Sequence, residues 1–148
     1  MMDPNLGKRY QTLVILWFAL LLSIGVYFLV SVFVAPGISK VPGGSVRSLL
    51  IFALTALGTF LVIMSFAVKN KLLERSVETQ DVRLVQKALI VACVMCEVSA
   101  FLGLLERFVI GNREYYLLFL LAAAGTVLHF PRRSQLEAAS YKSPGQFA

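Results

Sequence analysis

The sequence predicts an all-α protein: a bundle of four transmembrane helices with both termini in the cytoplasm. Three observations carry this reading. Hydrophobic residues make up 58% of the 148 residues and charged residues only 15%, against roughly 25% charged in a soluble domain. The charges are also confined to blocks. None lies between Arg9 and Lys40, between Arg47 and Lys69 or between Glu114 and Arg132, and Glu97 alone interrupts the stretch from Lys87 to Glu106. These gaps match the ~20 helical residues needed to cross a hydrocarbon core of ~30 Å. Third, the basic residues fall unequally on the two sides that four crossings define.

The expected organisation is a cytoplasmic lead at 1–9, a single transmembrane domain at 10–131 and a flexible cytoplasmic tail at 132–148. The spans are placed at about Tyr10–Val34, Ser48–Val68, Leu84–Ile110 and Tyr115–Phe130. The first is too long for the ~7–15-residue apolar core of a secretion signal, and Tyr10 and Trp17 are suited to seating it at the cytoplasmic interface. "APGISKVPGGSVRS" then breaks the chain with two prolines and three glycines. "KNKLLERSVETQD" contains neither, so it extends the second helix until Thr79 or Asp81 caps the third. A tight connection at "GNRE" leads to the fourth span, with Tyr115 and Tyr116 at the interface. "HFPRR" ends that span, because Pro131 does not continue a helix easily and two arginines mark the lipid heads.

Lys8, Arg9, Lys69, Lys71, Arg75, Arg83, Lys87, Arg132, Arg133 and Lys142 share one side of this topology; Lys40, Arg47, Arg107 and Arg113 lie on the other. Ten against four places the termini and the central loop in the cytoplasm of a bacterial-type inner membrane. The net charge of +6 therefore reflects topology and contact with anionic lipid heads. No motif supports a nucleic-acid partner. Nor is there a catalytic triad, phosphate loop, metal cluster or cofactor motif, so no catalytic residue is assigned.

Glu97 is the principal candidate site. It lies thirteen residues from either end of the third span, ~20 Å each way, which puts a carboxyl near the bilayer centre. An ionised group there costs roughly 3 kcal/mol on insertion scales, and acids at such depths are functional by default. The charge penalty favours the neutral acid, which suits a reversible H+ or Na+ site. The alternative is a structural acid hydrogen-bonded to Ser23, Thr55, Ser65 or Thr126. Glu106, Arg107, Arg113 and Glu114 are expected at the outer interface, solvated or paired. His129 is expected as an interfacial structural residue at the inner end of the fourth span. Cys93 and Cys96 form a Cys-x-x-Cys pair mid-helix, with no other cysteine in the chain; they read as small packing residues before they read as a redox pair. Ala92, Cys96, Ala100 and Gly103 on the third span and Gly125 on the fourth are the positions for close helix approach.

"EVSAFLGL", Glu97 to Leu104, with Ile90, Val91 and Met95 ahead of it, resembles the second helix of the rotor proteolipids, the c subunits of F-type ATP synthases and their V-type relatives. Ala100 and Gly103-Leu104 stand where that family has Ala and Gly-Leu. The resemblance covers about residues 50–110 and is strongest over 90–104. It does not include the family's Arg-Gln/Asn-Pro loop, whose place is taken by Val77-Glu78-Thr79, or its glycine-rich first helix, where this chain has Gly58 alone. It implies that Glu97 is the carboxyl that loads and unloads the translocated H+ or Na+, without cofactor or metal, in an assembly with a membrane-protein partner or further copies of itself. A membrane scaffold or accessory subunit is the alternative, and a thiol or quinone oxidoreductase using Cys93 and Cys96 the third reading.

Overall fold

The computed structural model describes residues 4–34 and 44–140. The proline-rich outer connection and the last eight residues of the expected tail lie outside them. The described residues form five α-helices and no strand: α1 (Pro4–Phe33), α2 (Ser45–Glu78), α3 (Val82–Leu105), α4 (Tyr116–Leu128) and α5 (Arg133–Ser140). A π-helical turn, Glu106–Ile110, prolongs α3. Three helical segments, Gly7–Phe33, Ser45–Glu78 and Val82–Ile110, are long and apolar enough to cross a membrane. α4 is as apolar but has only 13 residues, a rise of ~20 Å.

The helices end for local reasons. Pro4 opens α1, where its missing N–H would have no partner in any case. α2 runs on to Glu78, and Thr79 closes it by donating its hydroxyl and its amide to the Arg75 carbonyl at 2.8 and 3.0 Å. Gln80 turns the chain with a left-handed φ of 52°. Asp81 caps α3 by accepting the Arg83 amide at 2.9 Å. At the other end Gly111, with φ 71°, terminates the π turn and returns its amide to the Glu106 carbonyl.

α3 is the hub, packed against α1, α2 and α4. Its neighbours alternate in direction. Arg47 Nη2 donates to the Gly111 carbonyl at 2.9 Å and Arg107 Nε to the Ser31 carbonyl at 3.3 Å, which ties the start of α2 and the end of α1 to one end of α3. At the opposite end Leu13, Val85, Leu89 and Cys93 bury against Leu136 and Ala139 of α5.

Helix extends beyond the expected spans at both ends. The lead is helical from Pro4, continuous with the first span. The tail is helical over Arg133–Ser140, because Leu136 and Ala139, three apart, bury one face while Arg132, Arg133 and Glu137 stay exposed. Trp17 is a third departure. Its indole lies within the bundle, donating to the Thr126 carbonyl at 2.7 Å and packing edge-on against Phe130.

Candidate functional site

Glu97 sits near the middle of the long helix made by α3 and its π turn, fifteen residues after Val82 and thirteen before Ile110. It is half-buried, at the edge where the face of α3 that meets α1 gives way to an exposed one. The Ser23 hydroxyl of α1 donates to Glu97 Oε1 at 2.6 Å, which makes Ser23 the partner among the four hydroxyls expected from sequence. The carboxyl lines an open groove of about 190 Å³ with Tyr27, Val94, Val98 and Phe101. One oxygen is thus held by a hydroxyl while the group as a whole stays reachable from the outer surface of the bundle.

The other expected partners serve different groups. Thr55 donates to Glu106 Oε1 at 2.8 Å, and Asn112 Nδ2 donates to Oε2 at 2.7 Å. Glu106 is only 1% exposed, so in place of the expected solvated or ion-paired acid it is a buried, hydrogen-bonded one. The π turn directs its side chain inward between α2 and the 111–115 connection, and among the described residues no cation lies within ion-pairing distance of it. Arg107 goes elsewhere, its guanidinium 5.0 Å from the centre of the Tyr115 ring. Sequence reasoning missed this second buried acid. The available signal was Asn112, six residues on, a donor able to fold back over a helix end.

A third polar group joins α2, α3 and α4. Ser65 Oγ and His129 Nε2 are hydrogen-bonded at 2.7 Å, and the same hydroxyl lies 3.8 Å from Cys96 Sγ. Lys69 Nζ donates to the His129 carbonyl at 3.1 Å, while Phe66 covers the imidazole with ring centres 4.3 Å apart. The expected interfacial histidine is therefore a buried one, 1% exposed, because α4 stops inside the bundle rather than at its rim. Cys93 and Cys96 are free thiols with no exposed surface.

The small residues named from sequence stand as follows. Ala92, Cys96 and Ala100 are fully buried. Gly103 faces Tyr115, Leu118 and Phe119, and a Cβ on Gly125 would lie 2.9 Å from Val62 Cγ1 and 3.0 Å from Cys96 Sγ. These contacts let α4 lie close against α2 and α3. Among the described residues no group of three His, Cys, Asp or Glu side chains is placed to hold a metal ion.

Comparison with protein-family models, with curated proteins and with solved structures gives no match to this chain.

Proposed function

We propose that the chain is a multi-pass protein of a bacterial-type cytoplasmic membrane, crossing it four times with both termini inside. In this reading it acts as a proteolipid-like subunit whose Glu97 binds and releases H+ (or Na+) within a larger membrane assembly. The observation that carries the reading is the position of Glu97: near the middle of the helix formed by α3 and its π turn, hydrogen-bonded by Ser23 and open to a groove on the bundle's outer surface. A transferable ion needs that combination, since an acid sealed in the interior exchanges with nothing and one bathed in water is never selectively neutral. Glu106, closed in by Thr55 and Asn112, lacks the opening.

The Ser23–Glu97 bond also favours a second reading, an accessory or scaffold protein in which the acid fastens α1 to α3. Treating native membranes with a hydrophobic carbodiimide, which attacks neutral carboxyls in apolar surroundings, separates the two. An exchangeable site is modified at Glu97 near neutral pH and is protected by Na+ if Na+ is the ion. Glu106 stays largely unmodified because both its oxygens are enclosed. Modification of Glu97 no faster than of the exposed Glu74 or Glu137 overturns the ion-site reading and leaves the fastener.

A further inference from the structure

Val94, Glu97, Val98 and Phe101 share one face of α3 at positions i, i+3, i+4 and i+7. α3 is the hub of the fold, yet it leaves this face uncovered: Val94, Val98 and Phe101 are 42%, 43% and 48% exposed. The outward stripes of α1 and α2, such as Ile15, Phe18 and Leu22 or Phe52, Phe60 and Ile63, are apolar, and acyl chains satisfy them. The α3 face differs because it carries a carboxyl. Among the described residues, Ser23 is the one hydrogen-bonding partner of that carboxyl, and lipid tails supply no other.

A neutral carboxylic acid is its own complement, with one O–H donor and free acceptor positions. A helix from a different protein would have to bring a donor to the same depth. A second copy inserted in the same sense does so by symmetry, since a two-fold axis along the membrane normal sets identical residues at identical depth. Val94 and Val98 are short and stiff, so two α3 backbones can approach closely, and the i, i+3, i+4, i+7 patch suits two helices crossing on their i±4 ridges.

We propose that the protein is a homodimer in which the α3 helices of two copies cross at Val94, Glu97, Val98 and Phe101, with the two Glu97 carboxyls hydrogen-bonded to each other. The proposal rests on the reading of Glu97 as the acid that takes up H+: pairing closes the groove while the proton is held, and parting of the two α3 faces reopens it.

Single cysteines at Val98, Ile15 and Phe60 of the full-length chain, oxidised in native membranes with copper phenanthroline, test it. Val98→Cys is expected to give a covalent dimer, while Ile15→Cys, Phe60→Cys and the parent, with its two buried thiols, stay monomeric. In mild detergent Val98→Trp should shift the purified protein to monomer. Glu97→Gln, whose amide still pairs with itself, should remain dimeric, and Glu97→Leu should weaken association at least tenfold. Equal cross-linking at all three sites, or capture of a different polypeptide by Val98→Cys, overturns the proposal. If Glu97 takes the carbodiimide but Val98→Cys forms no dimer, the pairing fails and the ion site stands. If the dimer forms while Glu97 is unreactive even in monomeric Val98→Trp, the ion site fails and the pairing stands.

Discussion

Lys69 reaches the last turn of α4 and donates its ammonium to the His129 carbonyl at 3.1 Å. The carbonyl end of a helix carries partial negative charge, and a cation there is favourable. Lys69 is 7% exposed, and among the described residues no acid pairs with it, so the end of α4 is its counter-charge. Replacing Lys69 with Met should lower stability by about 1–3 kcal/mol, the cost of leaving buried carbonyls without a donor, while Lys69→Arg should lose less. Ser65→Ala should cost a similar amount by stripping His129 Nε2 of its partner. Unfolding curves in mild detergent with added denaturant give both values.

Glu106 makes a distinct demand. Both its oxygens accept hydrogen bonds, from Thr55 and Asn112, so Glu106→Gln should be tolerated better than Glu106→Leu, because the amide oxygen still accepts one of them. Glu106→Leu leaves two half-buried donors unmatched and should cost about 2–4 kcal/mol at about 1–2 kcal/mol per group. If Leu and Gln prove equally stable, the inward position of Glu106 is wrong.

Gly125 sets the approach of α4. A methyl group at this position meets Val62 Cγ1 at 2.9 Å and Cys96 Sγ at 3.0 Å, neither of them on a long, yielding side chain. Gly125→Ala should therefore destabilise by about 1–3 kcal/mol through overpacking, and Gly125→Leu should prevent α4 from docking. The check is thermal stability of the solubilised protein, with exposed Ala124→Leu as a control that should change little.

For orientation, Glu78 and Arg113 are both exposed and lie at opposite ends of the bundle. With the termini inside, a cysteine replacing Glu78 should be shielded from an impermeant maleimide in intact cells and become reactive once they are opened. One replacing Arg113 should react from outside. The reverse pattern would invert the topology.

The long helices were legible because charge is absent over whole spans and Thr79 and Asp81 carry their own capping chemistry. Ser23 could be shortlisted for Glu97, since depth along α1 limits which hydroxyls reach it, but the choice among four needed the packing of α1 on α3. Glu106 was misplaced for a physical reason. Flanked by Arg107 and close to Arg113, it reads as interfacial, and the π turn that rotates it inward is set by tertiary contacts rather than by any residue of its own. α5 was missed because eight residues with Leu136 and Ala139 on one face carry too weak a pattern until Leu13 and Val85 cover them. His129 is expected at the rim because a fourth span should end there, whereas α4 ends against Ser65 and Phe66 inside the bundle.

That shortness reaches beyond the protein. The apolar part of α1, from Tyr10 to Phe33, offers ~36 Å of helix, whereas α4 offers ~20 Å before the chain turns at Pro131 and presents Arg132 and Arg133. The greasy girdle is therefore uneven, tall on one flank and low on the other. In a membrane crossed four times, as proposed, lipids beside the low flank would compress or the molecule would lean, at a fraction of a kcal/mol for each ångström of mismatch. Two molecules that bring their low flanks together share one dimple in place of two, and longer acyl chains sharpen that incentive. In that reading the thickness of the surrounding bilayer acts on where the protein gathers, with no ligand involved.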